Sequence, residues 1–142
     1  MEKVKAQVMR RFDLPPEKIF EAFLDPKKAS KFMFATENGE MIKAEIDPKV
    51  GGSFLFVDRR PTGDASHYGT WIELIKPKKI KFTFAVQKEA EGDPVTIDIS
   101  PQGKGCKVTL THEMDAKYAN LREKVAEGWN GILAGLAMAL AG

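Results

Sequence analysis

An α+β fold, a curved antiparallel sheet of about six to seven strands wrapped around one long C-terminal helix, is what this sequence predicts. Three observations carry the reading. Between about residues 42 and 114, apolar and polar side chains alternate with a period of two, interrupted only by turn residues. From 116 to 140 the apolar residues recur at three and four instead. Between a first alternating segment and the rest, the period changes once to helical. A sheet with one apolar face and a helix with one long apolar stripe must cover each other, and a strongly twisted sheet curls as it does so.

The elements follow in order. Residues 3–12 place Val4, Ala6, Val8 and Phe12 on one face and Lys3, Lys5, Gln7 and Arg11 on the other, a half-buried strand. In "DLPPEKIFEAFLD" the prolines at 15 and 16 suit a first helical turn, Glu17 favours its positive end, and Ile19, Phe20, Phe23 and Leu24 make one apolar face. Asp25–Pro26 ends that helix and can cap a second short one carrying Ala29, Phe32 and Met33. Asp47–Pro48 and Gly51–Gly52 punctuate the chain, the glycines as a turn or bulge, since a phosphate loop would lead into a helix and here a strand follows. Phe54, Phe56 and Asp58 then share a face, "GDASH" reads as a loop, and "YGTWIELI" as a strand rich in β-formers. After a turn at Lys76–Pro77, Phe82, Phe84 and Val86 alternate with Lys81 and Thr83. After a turn at "EGDP", Val95, Ile97 and Ile99 alternate with Thr96, Asp98 and Ser100. "PQGKG" is a hairpin signal, and Val108, Leu110, His112 and Met114 follow in phase. The tail puts Leu121, Val125, Trp129, Ile132, Leu133, Leu136 and Leu140 on a single stripe.

Composition excludes several classes of function. A chain of 142 residues is expected to form one domain, 1–142. Its single cysteine, Cys106, excludes an internal disulfide and a thiolate metal cluster. With 22 Lys and Arg against 20 acids the formal charge is +2, so bulk charge implies no partner. The basic stretch "KPKKIKF" and the pairs Arg10–Arg11 and Arg59–Arg60 read as solvated turns and strand ends, and no nucleic-acid partner is expected. The uncharged run from Gly128 to Gly142 is shorter than the roughly 20 apolar residues a spanning helix needs, and the N-terminal segment lacks a signal-peptide core. The expectation is a cytoplasmic protein with no membrane insertion. No His/Cys spacing resembles a zinc site, so neither metal nor cofactor is expected.

The segments "LPPEKIFEAFLDPKKASKF", "DPKVGGSFLF", "GTWIELIKPKKIKFTF" and "EGWNGILAGLAMAL" together resemble, in order and spacing, the activator-of-Hsp90-ATPase-like (AHSA1-like) family of the START/Bet v 1-like (SRPBCC) superfamily. The resemblance covers about residues 8–140; the family usually has a tryptophan where this chain has Phe32. It implies a helix-grip fold whose long helix and curved sheet enclose an apolar cavity. It leaves activity open, because relatives include ligand carriers, enzymes of aromatic polyketide metabolism, a co-chaperone domain and uncharacterised bacterial proteins, and a fold does not fix a function. The family's co-chaperones carry an additional N-terminal domain, so direct Hsp90 activation is not expected.

The leading expectation is a module that binds a small hydrophobic or aromatic ligand between sheet and helix. A straight helix cannot touch every strand of a curved sheet. An empty void of roughly 300 Å³ would cost about 7 kcal/mol at about 24 cal/mol per Å³, which rivals a domain's whole stability of about 5–15 kcal/mol. Such a space must be small, wet or occupied. The candidate ligand-binding residues are Phe20, Phe32, Phe54, Phe56, Trp71, Phe84, His112, Trp129, Leu133 and Leu136. His112 is inward by phase, and Asp58, also inward, is its candidate partner should the protein instead be an enzyme of cyclase or hydratase type. The other histidine, His67, is placed in a loop. A chaperone-interaction domain is the third alternative. Gly131, Gly135 and Ala139 form a line of small residues that permits close approach to a strand or loop, with a homodimer through that face left open.

Overall fold

The computed structural model describes residues 3–88 and 92–141. Seven strands form one antiparallel sheet: β1 (Lys3–Phe12), β2 (Glu40–Ile46), β3 (Ser53–Arg60), β4 (Gly63–Ile75), β5 (Lys79–Ala85), β6 (Asp93–Gln102) and β7 (Gly105–Asp115). Their order across the sheet is β1-β7-β6-β5-β4-β3-β2. Every strand after β1 thus lies beside its neighbour in sequence, and β1 closes onto β7, with Val8 opposite Leu110. Two short helices, α1 (Pro16–Leu24) and α2 (Pro26–Ala29), bridge from β1 towards β2. Asp25 ends the first and caps the second, accepting a bond from the Lys27 backbone N–H at 2.9 Å.

The alternation in the sequence becomes an inner and an outer face. Phe54 and Phe56 on β3, Trp71 on β4, Ile80 and Phe82 on β5, Val95, Ile97 and Ile99 on β6, and Val108 and Leu110 on β7 are all buried. They meet Ile19, Phe20, Ala22 and Phe23 of α1 and Trp129, Leu133 and Leu136 of the C-terminal helix α3 (Arg122–Ala141). The fold class is the helix-grip arrangement expected, and α3 lies against β1. No described helix is long and apolar enough to cross a membrane.

Three local expectations are corrected. The tail does not begin as α-helix: Ala116–Leu121 form a 3-10 turn capped by Asp115, whose carboxylate accepts from the Lys117 N–H at 3.0 Å. Three residues per turn instead of 3.6 throw the stripe out of phase, so Leu121 faces solvent. Val86 lies past the end of β5 and is exposed. The turn placed at "EGDP" is already strand from Asp93; Glu91 and the neighbouring residues 89 and 90 lie outside the described residues, as do 1, 2 and 142. The "PQGKG" hairpin is present, with Gln102 opposite Gly105 and Gly103 at φ +61 in the first loop position, a backbone region in which glycine carries no Cβ penalty.

Candidate functional site

Along β3 the inner face runs from apolar to polar. Phe54, Phe56 and Asp58 are buried, and Arg60, two residues on, reaches the rim. The turn after β3 is only Pro61–Thr62, because Arg60 already pairs with Gly63. Residues 63–67, expected as a loop, therefore belong to β4. His67 sits opposite Phe56 and in phase with Trp71, which buries it on the inner face. Phe84 on β5 and His112 on β7 complete the sheet wall. Val125, Gly128, Trp129 and Ile132 face it from α3, and Phe34, Ala35 and Thr36 close one side from the segment after α2. Together with Arg60 and His67 these residues line a cavity of about 300 Å³.

Phe34 forms the stack at its centre. Its φ is +61, a conformation that costs an L-residue roughly 1–2 kcal/mol. The ring lies parallel to His67 at 4.3 Å between centroids and nearly parallel to Phe84 at 4.9 Å, with Trp129 edge-on at 5.8 Å. Its carbonyl accepts from Arg60 Nη2 at 3.2 Å. Arg60 Nε in turn donates to Asp58 Oδ2 at 2.9 Å, and the Thr36 hydroxyl donates to the same oxygen at 2.7 Å. The Arg60–Asp58 pair thus latches residues 34–36 to β3. Asp58 Oδ1 has no partner among the described residues, and Gly39 is packed against this carboxylate so tightly that a Cβ there would collide with it.

His112 is committed on both sides. The Trp129 indole N–H donates to its Nδ1 at 2.9 Å. An indole nitrogen can only donate, so this network assigns the imidazole proton to Nε2, which donates to Asp93 Oδ2 at 3.0 Å. Asp93, not Asp58, is the carboxylate beside His112. Both aspartates are inward by phase, but phase fixes a face and not a place on it. Asp58 is on β3, four strands from β7, whereas β6 pairs with β7 and carries Asp93 two residues from Val95, which lies opposite His112.

His67 differs. Its Nδ1–H donates to the Phe56 carbonyl at 3.3 Å. Burial, more than any other cause, holds its pKa below the ordinary histidine value; the Phe56 carbonyl opposes this, the Arg60 charge adds to it, and Asp58 and the Ala65 carbonyl oppose it more weakly. Cys106, the lone thiol, is buried near Phe12 in the core, and burial pushes its pKa up. Among the described residues no group of three or more His, Cys, Asp and Glu is arranged to hold a metal ion.

Of the ten residues singled out in the sequence, Phe84, His112 and Trp129 line the cavity. Phe20, Phe32, Phe54, Phe56, Trp71, Leu133 and Leu136 are buried behind it in the core. Trp71 packs between Phe54 at 5.1 Å and Phe82 at 5.6 Å, and Phe32 meets Phe23 edge-on at 5.4 Å. The sequence reading missed Phe34, Ala35, Thr36, Arg60, His67 and Gly128 as wall residues, and it placed Val125 and Ile132 on the helix stripe without assigning them to the wall. Two of them carried a signal: Arg60 continues the step of two from Phe56 and Asp58, and His67 continues it backwards from Trp71 and Gly69. Of the small-residue line, Gly135 makes a close approach, its Cα facing Phe32, while Gly131 has open space beside it.

The model of the family described as "Activator of Hsp90 ATPase homolog 1-like protein" matches residues 13–141. The chain belongs to this family. Solved structures of similar fold include a Chromobacterium violaceum protein, 24% identical, covering 94% of each chain with a TM-score of 0.80. A Nitrosomonas europaea protein, 18% identical, covers 97% of this chain and 94% of its own with a TM-score of 0.84. The solution structure of an AHSA1-like protein from Aeromonas hydrophila, 20% identical, covers 97% of this chain and 92% of its own with a TM-score of 0.82. At these identities the likeness is one of fold. No curated protein matches the sequence. Membership of the Hsp90-activator-like family accounts for the ordered segments in the sequence and for the sheet that grips α3.

Proposed function

We propose that this protein binds a small apolar or aromatic molecule in the cavity between β3–β7 and the first half of α3. The observation that carries the reading is the cavity itself: Phe34, Phe84 and Trp129 surround a space that the straight helix leaves against the sheet, and Gly128 adds no side chain to fill it. The space is about 300 Å³, at the low end for ligand pockets, and its walls are mainly Phe34, Phe84, Val125, Trp129 and Ile132, with a few polar groups at one side.

The hydrogen bonds weigh against the enzymatic alternative at His112. A general base needs a lone pair within reach of substrate, and both nitrogens of His112 are occupied by Trp129 and Asp93. That bonded triad reads as a strut that fixes the Trp129 ring in the wall. A chaperone-interaction role would instead place function on the outer surface and leave the cavity incidental.

Thermal melting in the presence of flat aromatic and fatty compounds tests the reading. At about 100 times its dissociation constant a ligand adds roughly 2.7 kcal/mol, on the order of 10 °C in melting temperature for a domain of this size. Dose-dependent stabilisation with a parallel change in Trp129 fluorescence is the expected result. The reading is wrong if a broad apolar library yields no stabilisation.

A further inference from the structure

The cavity has one polar side, and its two ends of the hydrogen-bond scale differ in kind. His67 is stacked face-on by Phe34 at 4.3 Å, and its Nδ1–H is taken by the Phe56 carbonyl. What remains is Nε2, which has no partner among the described residues and is not sealed from solvent. With the proton on Nδ1 and burial disfavouring the imidazolium, Nε2 offers a lone pair and no hydrogen. Arg60 offers the opposite. Of its guanidinium nitrogens, Nε is bonded to Asp58 and Nη2 to Phe34, while Nη1 has no partner among the described residues. The two side chains line the same cavity, and the Arg60 charge is close enough to act on the His67 imidazole.

We infer that His67 and Arg60 form a subsite for a hydroxyl group carried by an otherwise apolar ring, the ligand O–H donating to His67 Nε2 and its oxygen accepting from Arg60. The inference rests on the cavity being a ligand site and names the ligand's class. A hydroxyl is the simplest group that donates and accepts through one atom. A carboxylate fits worse on two counts. It has no hydrogen for Nε2, so lone pairs would face each other, and the Arg60 charge is already balanced by the buried Asp58 at 2.9 Å. An ether can accept from Arg60 but leaves Nε2 unmet. His112 offers no competing site, because both of its nitrogens are bonded.

Three probes that share a ring system separate these cases by calorimetric titration: 2-naphthol, 2-methoxynaphthalene and 2-naphthoate at neutral pH. The expected order is naphthol tighter than the methyl ether by about tenfold, as a lost hydrogen bond to a buried acceptor implies, with naphthoate weakest. His67→Phe keeps a flat ring against Phe34 but removes the acceptor, and should bring naphthol and its ether within about twofold of each other. His67→Gln can donate to Phe56 and accept from the ligand, and should restore the naphthol preference. Equal affinity of naphthol and ether for the wild type overturns the subsite but leaves the cavity reading standing, and this comparison needs no variant to fold. A preference that survives His67→Phe, or naphthoate binding most tightly, also overturns it. If none of the three binds, the subsite falls, and the cavity reading falls with it when a broad apolar library also yields no stabilisation.

Discussion

The two halves of α3 do different work on the same sheet. From Leu133 onward the helix is packed: Leu133 and Leu136 are fully buried, and Gly135 lies against Phe32. From Val125 to Ile132 it spans the cavity, with Gly128 open and only the Trp129 ring reaching across to Phe82, Phe84 and His112. The packed half lies against Phe32, just past α2, and buries Leu133 and Leu136 in the core, whereas the open half faces Phe34, Ala35 and Thr36 as well as the sheet across the cavity; a straight rod cannot follow a curved sheet along its whole length. The difference teaches that the C-terminal helix is a core element at one end and a pocket wall at the other, so one kind of substitution should have two kinds of consequence.

A buried charge gives the largest contrast. Leu136→Asp places an unpaired carboxylate among apolar side chains and should cost more than about 4 kcal/mol, enough to unfold the domain or nearly so. Ile132→Asp, half-buried and facing the cavity, can be hydrated from its mouth and should cost only about 1 kcal/mol. Urea denaturation of both variants measures the gap. Equal destabilisation would mean that the two halves are not different.

Filling the space comes next. Leu133, a candidate ligand-binding residue in the sequence, is sealed in the core, where overpacking costs about 1–3 kcal/mol. Gly128 is the position that opens onto the cavity. Gly128→Met should leave the fold intact, gaining up to about 1 kcal/mol from helix propensity, and should abolish the ligand-induced stabilisation of roughly 2.7 kcal/mol. Stabilisation that persists in Gly128→Met, followed by thermal shift, would place binding elsewhere.

Buried His67 adds a test through pH. His67 has its pKa lowered from 6.5, so as pH falls below about 6.5 the unfolded chain takes up a proton before the folded one does. Stability therefore rises with pH through this window and is lost on acidification, by at most about 1.4 kcal/mol per pH unit for one group. Replacing the ring by His67→Phe should flatten that part of the stability profile between the depressed folded value and 6.5. An unchanged slope would show that the imidazole is not held neutral by its surroundings.

How much of this was legible beforehand follows from what periodicity can encode. The strands from Phe54 to Met114 announced their inner faces, because a half-buried strand alternates whatever its neighbours are. Phe84, His112 and Trp129 reached the wall by that logic. Leu133, Leu136, Phe54 and Trp71 obeyed it equally and ended in the core, since phase distinguishes inside from outside and not packed from open. Phe34 could not be found this way at all: the segment after α2 has no period, and its left-handed backbone is dictated by tertiary contacts with Arg60, His67 and Phe84. His67 and Arg60 were obscured for a chemical reason. Gly63, Asp64 and Ser66 are turn formers by composition, and an Arg pair beside them resembles a solvated strand end, yet the turn is only two residues long and both side chains hold the inner phase. Asp93 was hidden likewise, its pairing with proline suggesting a turn where β6 begins.

The smallest effect distinguishes the two halves of α3 at the level of a single methyl group. Gly131 and Gly135 sit four apart on the helix, and alanine at either position should gain about 1 kcal/mol from helix propensity if nothing else intervenes. At Gly131 nothing lies within 4 Å of the new Cβ, so the gain should appear in full. At Gly135 the Cβ would lie 3.2 Å from the Cβ of Phe32. That residue has little room to give, because its side chain is buried and its ring is held edge-on by Phe23 at 5.4 Å. The contact should consume most or all of the propensity gain, leaving Gly135→Ala near neutral or destabilised. Paired denaturation curves should thus separate two chemically identical substitutions by about 1 kcal/mol or more. If Gly135→Ala stabilises as much as Gly131→Ala, the packed half of the helix is looser against Phe32 than this contact requires, and the contrast between the halves of α3 would narrow to Gly128 alone.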